Sequence, residues 1–503
     1  MRRFASRASW TLIVPAVVSV AISLFLALVA PNPQPRFHDE FSYLLSAQTF
    51  ALGRVSNPPH SLARFFETFQ VLSHPTYASK YPPGQGVALC AGKVVFGHEI
   101  AGARVASAVA CALVAWMLAG AVPRRWAVLG GVLVAIHPLF LRWSQDFWGG
   151  QVGMIGGALL MGAVLRLRRI PSPPNAVIAG IGIAILANSR PFEGAALTVL
   201  CAIFLARRLM NWRIAVPLLA ILAATAGAMA YYNHRVTGSA ALFPYVLYQR
   251  TNSSAPPLVF LPSHPVEYPN EVIRAYDLKW EMPQYLRQRT IDGFATAAGE
   301  KLWKFAKEYF FAAPMLLVAL AGAIVAARRD RIARVALVAV AILLAISTLG
   351  LWFHAHYASP YAPLIILILI EGLRRLRTLK WNGRNIGKLT VRAVVVLVLA
   401  STALACVRLA NPDVVWHLQR AQWTEQLESA GGRHVIFVRP LPDFDFHSEW
   451  VFNGPEIDAQ PVVWARDLGG SENRQLIDYY PGRKAWILEV GQSTARLIQY
   501  PLN

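Results

Sequence analysis

Acidic residues are scarce in this 503-residue chain, which carries 27 Asp and Glu against 48 Lys and Arg. Charged residues together make up 15% of the chain, whereas a soluble globular protein carries about 25%. Hydrophobic residues account for 55%, and the mean hydropathy is +0.41. This composition excludes an ordinary soluble enzyme and predicts an α-helical polytopic membrane protein.

Cysteine is also rare, and the four cysteines all lie in apolar runs without C-x-x-C spacing: Cys90, Cys111, Cys201 and Cys406. The sequence therefore indicates neither a disulfide framework nor a zinc site. The net charge of +21 does not require nucleic acid as a partner. Lys and Arg occur in short clusters between apolar segments, as the positive-inside rule describes, so membrane lipids are the expected surroundings.

The apolar segments predict about eleven membrane-spanning helices, several of them short: 10–30, 101–122, 126–141, 152–165, 176–187, 194–206, 214–232, 309–327, 333–351, 360–370 and 391–409. Arg2, Arg3 and Arg7 precede the first helix, and no clear cleavage site follows it. We interpret it as a retained helix with a cytoplasmic N-terminus. The run 87–96 is too short to span and predicts an interfacial or re-entrant helix.

With this topology, residues 1–410 form a transmembrane catalytic domain with two long outer loops, 31–100 and 233–307. Each inner turn is basic, and each outer turn carries acids, histidines and aromatics. Residues 411–503 are less apolar and predict a small periplasmic α/β domain. We expect helices at 416–429 and 473–479, and strands at 434–438, 461–464 and 485–488.

The adjacent acids Asp39 and Glu40 stand at the start of the first outer loop, after a proline-rich exit from the first helix. They open an amphipathic run, residues 43–52. One interpretation is an N-cap pair, because acids favour helix starts. The other is a catalytic role, because acids are rare in this chain and this pair lies just outside a membrane helix.

Eight further candidates lie in outer loops: Lys80, Tyr81, Asp146, Arg190, Glu193, His354, His356 and Tyr357. Transfer of a sugar to a hydroxyl needs a base for the hydroxyl proton and donors or cations for a leaving phosphate. Asp39 fits the first need, and Lys80, Arg190 and the histidines fit the second. Gly84 and Gly86 would let the backbone approach a ligand closely.

Each candidate also has a simpler interpretation. Lys80 fits an interfacial snorkelling residue, Asp146 a helix cap, and Arg190 with Glu193 a local ion pair. The acidic loop with Asp443, Asp445, His447 and Glu449 fits either a metal site or a solvated loop. The aromatics at the outer ends are interpreted as a membrane-interface belt: Trp143, Phe147, Trp148, Trp352 and Phe353.

The order of these features over about residues 10–410 resembles the GT-C superfamily of polytopic glycosyltransferases, especially its protein O-mannosyltransferase and aminoarabinose transferase branch. The residues that carry the resemblance are the Asp39-Glu40 pair, the Lys80-Tyr81-Pro82-Pro83-Gly84 motif, Asp146, Arg190-Pro191-Phe192-Glu193 and His354-Ala355-His356-Tyr357. The chain is also similar to a group of bacterial inner-membrane proteins through residues 39–45, 80–86 and 449–453. That second likeness implies no substrate.

The superfamily resemblance implies a hexosyl- or pentosyltransferase, which we expect to be inverting, that uses a polyprenyl-phosphate-linked sugar and a lipid or glycan acceptor at the periplasmic side of the bacterial inner membrane. It implies that Asp39 acts as general base or positions the acceptor, and that Lys80, Arg190 and His356 lie near the donor phosphate. Residues 10–410 contain no Asp-x-Asp pair, so we expect no metal cofactor, although Asp39 and Asp146 could hold a divalent cation as in the oligosaccharyltransferase branch. The alternative function is a transporter or flippase of lipid-linked sugar.

Overall fold

The computed structural model describes residues 8–310, 313–412, 415–492 and 494–501. Arg2, Arg3 and Arg7, which support the predicted cytoplasmic N-terminus, lie outside these residues. The described chain is mostly helical and carries one four-stranded sheet near its C-terminus. The predicted fold class, a helical polytopic membrane protein with a small C-terminal α/β region, is confirmed.

Within the described residues 8–237 there are ten α-helices: α1 Ala8–Val29, α2 His38–Ala51, α3 Gly84–Phe96, α4 Glu99–Leu118, α5 Arg124–Ile136, α6 Pro138–Trp143, α7 Gly150–Leu167, α8 Pro173–Ala187, α9 Pro191–Leu209 and α10 Trp212–Thr237. A short antiparallel hairpin of β1 Val71–Leu72 and β2 Ala78–Ser79 lies between α2 and α3. The first loop, residues 31–100, is therefore ordered by two helices and a hairpin.

The second half continues with α11 Pro244–Asn252, α12 Glu271–Tyr276, α13 Met282–Gln288, α14 Ile291–Phe310, α15 Ala313–Arg329, α16 Arg331–Ser347, α17 Ala362–Leu376 and α18 Ile386–Ala410. A π-helical turn, Asp277–Glu281, joins α12 to α13, and a 3₁₀ segment, Ala355–Tyr361, leads into α17. The second long loop, residues 233–307, is thus largely helical and packs beside the first.

Six helical segments within the described residues are long and apolar enough to cross a membrane: Ser9–Val29, Glu99–Leu118, Gly150–Leu167, Trp212–Thr237, Ala355–Leu376 and Ile386–Ala410. A seventh follows if Ile291–Phe310 and Pro314–Arg329 are counted as one bent span. Because this test rests on length and composition, the predicted number of about eleven spans stays a prediction.

The predicted helix 126–141 is wrong as a single element, because Pro138 divides it into α5 and α6. Proline has no backbone N–H to donate inside a helix, but it suits the first position of a new one. The His137 side chain caps this new helix by accepting a bond from the Leu139 N–H at 3.2 Å. The break turns α6 toward the second predicted outer turn, residues 144–149.

The C-terminal region consists of α19 Trp416–Ser429, β3 His434–Pro440, β4 Val462–Arg466, α20 Gly470–Tyr479, β5 Lys484–Val490 and β6 Ala495–Gln499. The strand order is β4-β3-β5-β6, in which β3 runs parallel to β4 and β5, and β6 runs antiparallel to β5. The predicted helices and strands are present within a few residues of their expected bounds. Strand β6 was not predicted.

One face of this sheet packs directly on the first loop. Phe437 and Val463 share a buried apolar cluster with Phe41 and Leu45 of α2 and with Phe65. Two ion pairs, Arg54 with Glu456 and Arg64 with Glu472, and a hydrogen bond between His60 and Asp458 stabilise the rim of this contact. The contact holds the C-terminal region over the helix that carries the acidic pair.

Candidate functional site

A cavity of about 1190 Å³ lies at the end of the helical region that faces the sheet. It is lined by the first loop, the α6–α7 turn, the α8–α9 turn, the second long loop and residues 347–357. Nine of the ten predicted site residues line it: Asp39, Lys80, Tyr81, Asp146, Arg190, Glu193, His354, His356 and Tyr357. The structure therefore brings these side chains to one cavity, and Glu40 is not among its lining residues.

Asp39 lies in the first turn of α2, and its side chain is 16% exposed. The Tyr81 hydroxyl donates a hydrogen bond to Oδ1 of Asp39, and Nδ1 of His38 lies 3.8 Å from the same oxygen. Burial opposes ionisation, but His38, the Tyr81 hydroxyl and the Lys80 ammonium outweigh it and hold the pKa of Asp39 well below its usual range. Asp39 is thus a carboxylate at neutral pH.

Glu40 is fully buried and points away from the cavity. Its Oε2 accepts bonds from the backbone N–H groups of Arg36 at 2.6 Å and Phe37 at 3.3 Å. Its Oε1 accepts a bond from the Phe147 N–H at 2.9 Å. The capping interpretation therefore fits Glu40, which closes the N-terminus of α2 and also holds the α6–α7 turn against the first loop.

Asp146 sits beside Phe147 in that turn and is 4% exposed. Its Oδ1 accepts a bond from the Trp148 N–H at 3.0 Å inside the α6–α7 turn. The helix-cap interpretation is wrong, because the N-cap of α7 is Gly149 and Asp146 caps no helix there. Burial, followed by the nearby Glu40 carboxylate, raises the pKa of Asp146 to about 8. Glu40 accepts three backbone N–H bonds and Asp146 accepts one, so Asp146 is the partner that holds the proton at neutral pH.

Lys80 is 6% exposed and lies among tyrosine rings. Its ammonium is 4.4 Å from the ring centroid of Tyr248, 4.7 Å from that of Tyr245 and 5.3 Å from that of Tyr81. Burial lowers the pKa of Lys80 to about 8, with Asp39 and Glu281 acting in the opposite direction. The snorkelling interpretation is wrong, because the ammonium is held inside the protein at the cavity wall.

Arg190 precedes α9 and directs its guanidinium toward the cavity. The guanidinium lies 5.0 Å from the ring centroid of Tyr357, and Nη2 donates to the Trp148 carbonyl at 3.5 Å. Within the described residues, no salt bridge of 4.0 Å or less joins Arg190 to Glu193. Arg190 and Glu193 thus make no close ion pair, although their charges still attract over a longer distance, and both residues line the cavity.

His354 and His356 both pack against Trp148, with ring centroids 5.2 and 4.4 Å from the indole. Burial lowers the pKa of His354 to about 4, so at neutral pH this imidazole is neutral. His354 Nδ1 lies 3.4 Å from Lys304 Nζ. In the part of the chain that the structure describes, the buried Nε2 of His356 has no hydrogen-bond partner. That nitrogen is available to a ligand.

The glycines of the Lys80 motif approach protein rather than a ligand. The Gly84 N–H donates to the Asn188 carbonyl at 2.7 Å, and a Cβ at Gly84 would lie 2.5 Å from the same oxygen. A Cβ at Gly86 would lie 2.7 Å from Cβ of Ser46. The expected glycine–ligand contact is wrong, and Gly84 instead joins the Lys80 motif to the turn that carries Arg190.

The outer-end aromatics do not form a lipid-facing belt. Trp143, Phe147 and Phe353 are at most 5% exposed, and Trp148 and Trp352 line the cavity. Side chains in an interfacial belt lie at the protein surface, where they meet lipid headgroups. The belt interpretation is wrong because the turns that carry these rings fold inward over the helix ends.

No group of three or more His, Cys, Asp or Glu side chains that could hold a metal ion occurs within residues 8–310, 313–412, 415–492 and 494–501. In the acidic C-terminal loop, Glu449 is 2% exposed and pairs with Arg466 at 2.7 Å, while His447 lines the cavity. The solvated-loop interpretation therefore fails for both of these residues.

Several cavity residues of the second long loop were not predicted from the sequence: Tyr245, Tyr276, Trp280, Glu281 and Lys304. His447 was considered only as part of a metal site or a solvated loop. Glu281 is partly buried and lies close enough to Lys80 to affect its pKa. Lys304 lies on α14, an amphipathic helix whose pattern was a usable signal, whereas no such pattern marks Trp280 and Glu281.

No family model matches the sequence, and no curated protein matches it either. Solved structures with a similar fold include an oligosaccharyltransferase from Archaeoglobus fulgidus in the apo form, which is 12% identical with a TM-score of 0.55 and covers 95% of this chain and 69% of that one. The archaeal oligosaccharyltransferase AglB from Archaeoglobus fulgidus, in complex with an inhibitory peptide and a dolichol-phosphate, is 14% identical with a TM-score of 0.51 and coverages of 95% of this chain and 69% of that one.

A further similar protein is ArnT from Cupriavidus metallidurans in the apo state, which is 14% identical with a TM-score of 0.51. The match covers 94% of this chain and 92% of ArnT. At these identities the likeness concerns the fold, and the expectation from the sequence motifs is confirmed at that level. This chain has the GT-C fold of polytopic glycosyltransferases.

Proposed function

We propose that this membrane protein is a glycosyltransferase that moves a sugar from a polyprenyl-phosphate-linked donor to a cell-envelope acceptor. The observation that carries the proposal is the meeting of an ionised carboxylate, Asp39, with two cations, Lys80 and Arg190, around one large cavity of a GT-C fold. A carboxylate serves the incoming hydroxyl, and cations serve the leaving phosphate. The dolichol-phosphate bound by the similar archaeal enzyme is a phosphate of the proposed class.

In the proposed reaction, the acceptor hydroxyl attacks the anomeric carbon of the donor sugar from the side opposite the phosphate. A bond forms between the acceptor oxygen and that carbon, the bond to the phosphate oxygen breaks, and the configuration inverts. The hydroxyl proton passes to Asp39, and the electron pair leaves with the polyprenyl phosphate. Because its pKa is depressed, Asp39 is a weak base, so it first orients the hydroxyl and accepts the proton late.

The phosphate would lie between Lys80 and Arg190, where charge-assisted hydrogen bonds strengthen as the leaving group gains charge. The unpartnered Nε2 of His356 offers a further polar contact. Asp146, protonated at neutral pH, would donate a hydrogen bond to a phosphate oxygen. The pKa values of Asp39 and Asp146 are thus moved apart, as is common for carboxylates with different roles in one site.

The proposed location of this chemistry is the periplasmic face of a bacterial inner membrane, with residues 411–503 on the same side. The test is a proteoliposome assay with the purified chain, a radiolabelled polyprenyl-phosphate sugar and a cell-envelope extract as acceptor. Covalent transfer of label to the extract supports the enzyme, whereas movement of the labelled lipid between leaflets without transfer supports the flippase. Repeating the assay with EDTA tests the expectation that no metal is required.

Replacement of Lys80 by Met is expected to weaken binding of undecaprenyl phosphate by about 10- to 100-fold at neutral pH, the value of one charge-assisted hydrogen bond. In the wild type, Lys80 is charged below its pKa of about 8, so binding is strong there and falls as the pH rises through 8. Tryptophan fluorescence titration of the chain in nanodiscs measures both effects.

Lys80→Arg separates this titration from that of Asp146, which also has a pKa of about 8 and gains negative charge above it. Arginine stays charged at these pH values, so the pH dependence of binding should flatten in this variant. A dependence that persists unchanged would assign it to Asp146 instead. Lys93→Met, in α3 and outside the cavity lining, is the matched control and should bind as the wild type does.

A further inference from the structure

Two tryptophans from distant segments stack on each other in the cavity wall. The rings of Trp280, in the second long loop, and Trp352, after α16, have centroids 5.3 Å apart and planes 9° apart. Stacked rings cover part of each other's faces, so the indole surface open to a ligand is the uncovered part of Trp280. This ring lines the cavity and remains 36% exposed, and Trp352 lines the cavity beside it.

A carboxylate with unused acceptor capacity stands beside the two rings. Oε1 of Glu281 accepts a bond from Nε1 of Trp352 at 3.3 Å, and Oε2 accepts one from Oγ of Ser253 at 2.9 Å. Each carboxylate oxygen can accept two hydrogen bonds. Each oxygen of Glu281 therefore retains one position for a ligand hydroxyl.

The backbone around Glu281 is fixed by a second, fully buried acid. Asp277 begins the π-helical turn that ends at Glu281, and its carboxylate accepts bonds from the Ser254 N–H at 2.8 Å and from the Ser254 hydroxyl. Such π-helical turns occur frequently at functional sites. The orientation of Glu281 and Trp280 is therefore set before any ligand binds.

The C-terminal region contributes the fourth residue of this site, His447. The His447 ring meets the Trp280 ring edge-on at 4.9 Å and the Tyr276 ring at 5.8 Å. His447 is half-buried, lines the cavity and lies between β3 and β4. An imidazole can both donate and accept hydrogen bonds, so it complements the acceptor-only carboxylate.

This combination fits a sugar ring better than a peptide or an acyl chain. A sugar ring has an apolar C–H face, which suits the electron-rich face of an indole, and a rim of hydroxyls, which suits a carboxylate and an imidazole. An acyl chain would leave the acceptor positions of Glu281 unpaired in the cavity wall, at a cost in binding. A peptide strand would need exposed backbone donors and acceptors, which these four side chains do not supply.

We infer that Trp280, Trp352, Glu281 and His447 bind a sugar ring of a substrate, either the sugar of the polyprenyl-phosphate donor or a sugar of a glycan acceptor. This inference rests on the proposed function, since it locates a sugar-binding subsite for that reaction. It also gives the C-terminal region a defined part in the site, because His447 completes the wall that the second long loop begins.

The test measures sugar binding apart from transfer, by saturation-transfer NMR on the full chain in nanodiscs. The probes are methyl glycosides of mannose, galactose and arabinose, with tetra-alanine as the peptide probe. We expect transfer to the ring C–H protons of at least one glycoside and none to the peptide. Trp280→Ala should weaken that binding about tenfold, and Trp280→Phe should restore most of it, since a ring remains.

Trp303→Ala is the matched control, because Trp303 is 69% exposed on α14 and lies outside the cavity lining. It should leave glycoside binding unchanged, whereas Glu281→Gln should weaken it. Absence of binding by every glycoside, or equal binding by wild type and Trp280→Ala, would overturn the inference. Undecaprenyl phosphate binding is measured separately on the same samples. If the wild type does not bind this lipid, the result counts against the proposed function. If Trp280→Ala still binds it, the variant is folded.

Discussion

Replacement of Asp39 by Asn is expected to slow sugar transfer by about 10²- to 10⁴-fold, the usual contribution of a general base. Asparagine has the same shape and its amide oxygen still accepts the bond from the Tyr81 hydroxyl, so the local structure is preserved. It carries no negative charge and cannot take a proton from an acceptor hydroxyl. Single-turnover transfer from a radiolabelled polyprenyl-phosphate sugar in proteoliposomes measures the effect.

Two measurements separate this loss from an indirect one. Asp39→Asn should still unfold in one cooperative transition, with a lower midpoint because the contacts that depress the Asp39 pKa stabilise the folded chain at neutral pH. Its affinity for undecaprenyl phosphate should not fall at acidic pH, where Lys80 is charged with or without the neighbouring carboxylate. Asp292→Asn, an exposed acid on α14 outside the cavity lining, should transfer at the wild-type rate. Full activity in Asp39→Asn would remove Asp39 from the centre of the mechanism.

The fold was largely predictable where a local pattern decides the structure. Helix α19 has the predicted bounds of 416–429, and β3, β4 and β5 lie where short apolar runs predicted strands. Strand β6 was missed because Ala495–Gln499 is only partly buried and includes exposed residues, so it lacks an apolar run. The break at Pro138 could have been predicted from the proline itself, but the apolar residues on both sides of it favoured one continuous helix.

Only the part of the candidate site that lies in the turns between helices could be predicted. Polar residues in alternate turns come to the same side of a membrane, and this reasoning identified nine of the cavity residues. It gave no indication of Trp280 and Glu281. They lie in a long loop whose folding depends on tertiary contacts, such as those of Asp277, and not on a periodic pattern.

The sequence could not predict which acid of the Asp39–Glu40 pair faces the cavity, for a different reason. In a helix, neighbouring side chains point in directions about 100° apart, so which acid faces the cavity depends on the residue at which α2 begins. The N-cap is Phe37, which lacks the side-chain oxygen of a typical capping residue. The usual sequence signature of a capping box was therefore absent, although Glu40 makes its half of that interaction.

Glu40→Ala is accordingly expected to lower the stability of the folded chain and not to remove a catalytic group. The truncation would leave the buried Phe147 N–H without its acceptor, and the N–H groups of the part-buried Arg36 and the exposed Phe37 would turn to water. One unsatisfied buried donor costs about 1–3 kcal/mol, so the expected loss of stability is roughly that amount. It should appear as a lower midpoint of thermal unfolding and reduced yield, measured on the purified chain in detergent.

Two further variants make this prediction specific. Glu40→Gln keeps one acceptor oxygen and removes the charge, so it should lose less stability than Glu40→Ala. Glu456→Ala breaks the exposed pair with Arg54 and should change stability by less than about 1 kcal/mol. Among Glu40→Ala molecules that remain folded, undecaprenyl phosphate should still bind, because Glu40 lies outside the cavity lining. A stable Glu40→Ala protein with no transfer activity would instead place Glu40 in the reaction and contradict the division of roles between the two neighbouring acids.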